Sequence, residues 1–109
     1  MTVNELQKAL ALTPLSLPDG EREVEGVYVG DLLSWVMGRA QSGNAWLTIM
    51  SNLNIVAVAT LSDVSCILLC EGVTLEESVK NTAEAKGVNI LATDMTAFEA
   101  AKRLVGLGL

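Results

Sequence analysis

From Glu25 onward the chain alternates short apolar runs with longer mixed segments. The runs are "EGVYVG", "AWLTIM", "SCILLC" and "VNILAT", spaced roughly twenty residues apart. Runs of four to six residues followed by segments of helical length form βα units, and their crossovers require the strands to lie parallel. Because the runs are apolar throughout instead of alternating, each strand is predicted to be covered on both faces. The pattern therefore predicts a three-layer α/β/α sandwich with a mostly parallel sheet of four to five strands. A fifth, short strand would come from the "PLSLP" or "EREVEG" region.

Helix boundaries follow from capping residues. Thr2 stands three residues before Glu5, the capping-box spacing, and predicts a helix over Val3–Leu12. Asp31 is positioned to cap "LLSWVMGRA", Ser51 or Asn52 to cap "LNIVAVATLS", Thr74 to cap "LEESVKNTAEAKG", and Asp94 or Thr96 to cap "AFEAAKRLVGLG". Gly87 and Gly106 or Gly108 fall where a left-handed terminating residue is wanted. In the third of these segments Leu75, Val79 and Ala83 form one stripe, and in the last Phe98, Ala101, Leu104 and Val105 do so.

The first two segments differ, since "LNIVAVAT" carries no charge and "LLSWVMG" offers only Ser34 between Asp31 and Arg39. A helix apolar on every side needs a second covering surface. Trp35, Val36 and Met37 are expected to supply a homodimer contact or a contact with a separately encoded partner. The alternative is that the N-terminal segment folds over this helix and completes the core.

Composition supports the same expectation. Apolar residues make up 50% of 109 residues before the nine glycines are counted, more than a domain of this size buries comfortably on its own. The length fits one domain over residues 1–109. The net charge is −6 and the seven cations are scattered, so neither nucleic acid nor an anionic membrane is an expected partner. With no secretory signal pattern and no apolar run long enough to span a bilayer, a cytoplasmic location is expected. Cys66 and Cys70 on one strand would lie about 13 Å apart at 3.3 Å per residue, too far for a disulfide.

Candidate chemistry is sparse. There is no histidine, two cysteines on one strand do not make a structural zinc site, and neither a P-loop nor a dinucleotide-binding glycine motif occurs, so no metal or cofactor is expected. In an open parallel sheet, ligands sit beyond the carboxyl ends of the strands. Asp31, Ser51, Asn52, Asn54, Thr93 and Asp94 would line that rim, with Glu71 and Thr96 beside them, and the following helix N-termini could offer N–H groups to an anion. The plainer role for Asp31, Asn52, Asp94 and Thr96 is capping. Asp31, Glu71 and Asp94 could in principle form an acid–base set, but nothing in their spacing makes them converge, and no enzyme is expected.

Three stretches, "REVEGVYVGDLLSWVMGRA", "AWLTIMSNLNIVAVATLSDVSCILL" and "GVNILATDMTAFEAAKRL", together resemble the DRTGG-domain family, in particular its stand-alone bacterial members. The resemblance implies a fold like the MurF and HPr-kinase N-terminal domains, the latter being the non-catalytic half of HPr kinase/phosphorylase. It implies a regulatory, dimer-forming module without kinase activity. The namesake string is absent, and "CEGVT" stands near the place of a Gly-Gly loop in other branches, so no binding residue is carried over. The alternative function is a sensor of an anionic metabolite or nucleotide at the strand-end rim.

Overall fold

A computed structural model describes residues 1–109. The elements in chain order are α1 (Val3–Ala9), β1 (Thr13–Ser16), β2 (Val27–Val29), α2 (Leu33–Arg39), β3 (Ala45–Thr48), α3 (Asn54–Ser62), β4 (Cys66–Leu69), α4 (Glu77–Lys86), β5 (Ile90–Ala92) and α5 (Ala97–Gly106). The five strands form one sheet in the order β1-β5-β4-β3-β2. β2 to β5 run parallel, while β1 joins β5 antiparallel with Thr13 opposite Ala92. This is the α/β/α sandwich that the apolar runs predicted. Of the two regions offered for the fifth strand, "PLSLP" provides it; "EREVEG" contributes a single bridge, Glu23 to Thr2.

Side chains on each strand alternate between two cores. Trp46, Ile67, Leu69 and Ile90 pack under α2, α3 and α4; Ala45, Leu47, Cys66, Leu68 and Leu91 pack with Val3 and Leu6 of α1 and with Ala100 and Leu104 of α5. Every residue of β3 and β4 is buried, as expected of strands covered on both faces. α1 therefore lies on the opposite side of the sheet from α2. The N-terminal segment does not cover the outer face of α2, which removes the alternative offered for that helix.

The capping box holds. Thr2 N–H donates to the Glu5 carboxylate at 2.8 Å, and Glu5 N–H donates to Thr2 Oγ1 at 3.1 Å. α1 nevertheless stops at Ala9, short of Leu12, because Ala11 turns left-handed at φ 51° to feed β1. At α5 it is Thr96, not Asp94, that caps, accepting from Glu99 N–H at 3.1 Å. Gly87 terminates α4 in the left-handed conformation at φ 73°, as its position suggested. α3 ends on left-handed Asp63, with no glycine.

The stripe on α5 requires a correction. Ala100 and Leu104 face the sheet with Ala97 and Ala101 beside them, while Phe98 and Val105 are 76% and 66% exposed. Alanines three and four residues apart let the helix approach the sheet closely, a position in which Phe98 would not fit. No helix is long and apolar enough to cross a membrane.

Candidate functional site

The carboxyl ends of β2 to β5 lie on one side of the sheet, and there the structure divides the residues expected to form a common rim. Asp31 does not cap α2, whose N-cap, Leu32, makes no side-chain bond. Instead the Asp31 carboxylate accepts from the Thr48 hydroxyl at 2.8 Å and from Ile49 N–H at 3.0 Å, tying the end of β2 to the end of β3. Asn52 Oδ1 accepts from Asn54 N–H at 3.0 Å within the turn that opens α3. Ser51 is half-buried and forms no bond, and α3's N-cap, Leu53, has no side-chain partner. Thr74 likewise leaves α4 uncapped.

Thr93 and Asp94 stand apart from that group. They line a cleft of about 450 Å³ with Ala11, Thr13 and Leu15 on one side and the β4–α4 loop, Gly72 to Leu75, on the other. Lys80 of α4 also faces it. Thr93 Oγ1 accepts from Met95 N–H at 3.2 Å. The loop is pinned through its main chain: Glu71 N–H donates to Met95 O at 2.8 Å, and Gly72 N–H donates to Thr93 O at 3.0 Å. Glu71 and Gly72 are both left-handed, at φ 61° and 71°. A Cβ at Gly72 would sit 3.1 Å from Asp94 Oδ1, so glycine there serves both the turn and the close approach.

Lys80 and Thr13 are not site candidates in the sequence, where Thr74 reads only as a cap and Gly72 only as part of the "CEGVT" loop, because the cleft exists only once β1 lies beside β5. Nothing local in "TPLSL" signals that neighbour. No three His, Cys, Asp or Glu side chains gather closely enough to hold a metal ion; Asp31 is tied to the end of β3, while Asp94 lines the cleft. Cys66 and Cys70 are buried and unpaired. Burial pushes the Cys66 thiol up to about 12; burial, then the nearby Glu71 and Asp31 carboxylates, push Cys70 up to about 11. Neither is a nucleophile near neutral pH.

The second candidate surface is the outer side of α2. Val36 is fully buried beneath the helix, so it belongs to the core and not to a contact surface. Trp35 is 53% exposed and Met37 50%. Residues two apart point to nearly opposite sides of a helix, so these two do not share a face. Trp35 instead shares its stripe with Leu32 and Arg39, and the Arg39 guanidinium lies 3.7 Å from the Trp35 ring centroid. Val29, at the end of the edge strand β2, is also exposed.

Trp46, the largest fully buried side chain, supports this surface from below by donating from Nε1 to Gly30 O at 2.8 Å. Its hydrogen bond fixes the turn from β2 into α2.

No curated protein sequence matches this chain. Among solved structures, one similar fold is that of the CBS and DRTGG domains of the regulatory region of Clostridium perfringens pyrophosphatase, complexed with its activator, diadenosine tetraphosphate. The TM-score is 0.71 at 14% identity, over 93% of this chain and 44% of that one; this chain thus spans less than half the length of that neighbour. Residues 17–107 match the DRTGG domain as a family. The strand–helix succession from "EREVEG" to "AAKRLVG", folded into this sandwich, makes the chain a member of the DRTGG-domain family.

Proposed function

We propose that this chain is a non-catalytic regulatory or scaffolding module that acts as a homodimer, with the outer stripe of α2 and the free edge of β2 as the contact. The observation that carries the reading is the exposure of Leu32 and Trp35 beside exposed Val29 on an edge strand. β2 pairs only with β3, so alternate main-chain groups of the strand face away from the sheet. Such an edge invites pairing unless charge or proline blunts it. The opposite edge strand carries Pro14; "VYV" carries neither proline nor charge. A two-fold contact sets the same patch against itself, and burying apolar area contributes about 25 cal/mol per Å².

Membership of the DRTGG family supports the regulatory part of the reading, as does the neighbour, in which a domain of this kind lies in the regulatory region of an enzyme controlled by an activator.

Light scattering across a tenfold dilution tests the dimer. The wild type is expected at twice the 11.5 kDa chain mass, and Trp35→Asp at the single mass with an unchanged far-ultraviolet spectrum. Met37→Asp, on the other flank of α2, should disturb the dimer less. A wild-type monomer at every concentration would overturn the reading, as would a dimer broken by Phe98→Asp on α5 and not by Trp35→Asp.

A further inference from the structure

The cleft beside β1 is an open depression large enough to hold a small ligand, and its lining distinguishes it. Its volume of about 450 Å³ lies within the range of roughly 300–1,000 Å³ usual for small-molecule pockets. Half of its lining is apolar, including Leu15, Leu75 and Met95. The polar half is mostly groups able to donate. The Thr13 and Thr74 hydroxyls are engaged with no other group of the protein, and the Thr93 hydroxyl, which accepts from Met95 N–H, keeps its own hydrogen free. The backbone N–H groups of Thr74 and Leu75 donate to nothing in the chain, whereas that of Val73 before them is taken by Cys70 O at 3.3 Å.

Lys80 is the one cation of the cleft. Its only ion pair is a long one, 3.8 Å to Glu77, whose side chain is mostly exposed. A pair of that kind holds the ammonium weakly, so a ligand anion can replace it. The charge around the cleft also sets an upper limit on what enters. Asp94 is part of the lining, Glu71, Glu76 and Glu77 surround the loop, and the chain as a whole carries −6. One lysine among these carboxylates suits a single anionic group and repels a polyphosphate chain.

We propose that this cleft binds a small organic monoester phosphate or carboxylate, with its anionic group between Lys80 and the Thr74 and Leu75 N–H groups and its apolar or planar body on Leu15 and Met95. The site is independent of self-association: it lies at the β1 side of the sheet, and the proposed dimer contact lies at the β2 edge.

The test is an amide-resonance titration of the full chain with phenyl phosphate and with benzoate, against inorganic phosphate and ATP. Saturable shifts at Thr74, Leu75 and Thr93, tighter for the organic anions than for inorganic phosphate, are expected. Lys80→Met should weaken binding about tenfold, equivalent to about 1.4 kcal/mol. Lys80→Arg should retain it, and Lys86→Met on the far part of α4 should leave it unchanged. Absence of saturable shifts with both organic anions overturns the proposal, as does binding that Lys80→Met does not weaken, or ATP binding the same amides more tightly than phenyl phosphate. The light-scattering result bears on none of these outcomes.

Discussion

Asn44, Ser65 and Asn89 each stand one residue before a parallel strand, and all three are buried. Together they stitch the amino ends of the sheet. Ser65 donates from N–H and Oγ to Asn44 O at 2.8 and 3.0 Å, and Asn89 Nδ2 donates to Ser65 O at 2.9 Å. The remaining amide groups of Asn89 bind Asp19, with Nδ2 donating to its carbonyl at 2.8 Å and Oδ1 accepting from its N–H at 2.9 Å. One side chain thus holds the irregular "LPDGER" connection against the sheet. Asn89→Ala strands these partners and is expected to lower stability by about 2–3 kcal/mol in denaturant unfolding, with little change in m-value. In the sequence these polar residues look like ordinary loop positions; only strand order makes them interior. Asp31 likewise finds its partners, Thr48 and Ile49, at the end of the neighbouring strand and not in the helix that follows it.

Among the elements, α5 shows packing modifying a hydrophobic pattern, and α3 shows a helix ending without glycine. Of the expected stripe of Phe98, Ala101, Leu104 and Val105, Leu104 and Ala101 do pack toward the sheet, but Ala97 and Ala100 complete that side while Phe98 and Val105 face out, because small residues let the helix lie close to the strands. α3 closes on Asp63, left-handed at φ 56°, a conformation that Asp and Asn accept more readily than most residues. The Asp63 carboxylate accepts from the Ser42 hydroxyl and pairs with Arg22 at 3.0 Å. These contacts, Ser42 foremost, hold its carboxyl below the ordinary value. A depressed folded-state value means that the stabilisation is complete above the ordinary carboxylate range and disappears as pH falls through the lower one. Asp63→Asn keeps the turn and removes the titration. Its melting temperature should therefore fall less steeply than the wild type's between about pH 5 and pH 2, and parallel curves would show that this end of α3 is not part of the acid response.

For the whole molecule, the sheet is a shield between two helical layers. Cys66 and Cys70 both point into the α1–α5 core, one by its place in β4 and the other just beyond it. With thiols pushed up to about 12 and about 11, labelling by an aromatic disulfide reagent at pH 8 is expected to follow opening of the core and not the intrinsic thiol rate. Both thiols should react together as denaturant crosses the unfolding midpoint. Fast labelling of Cys70 alone in the native protein would instead mean that the β4–α4 loop opens by itself, and would place that loop, one wall of the ligand cleft, at the low-stability end of the fold. If the chain dimerises through α2, the same labelling curve should also move to higher denaturant as protein concentration rises.

By itself, the sequence determined the layered βα plan, the capping box at Thr2 and Glu5, the α4 stripe and its Gly87 terminus, and the family resemblance. These depend on residue spacings within one element or on the order of elements, and spacing is a local property. The tertiary structure decided which side of the sheet α1 takes, that Val36 is core while Trp35 is surface, and that Thr93 and Asp94 face Lys80 while Asp31 and Asn52 do not. Each of these depends on which strands become neighbours. The antiparallel seat of β1 beside β5 brings residues 13 and 92 into register, and no periodicity within either segment encodes a pairing between positions so far apart in the chain.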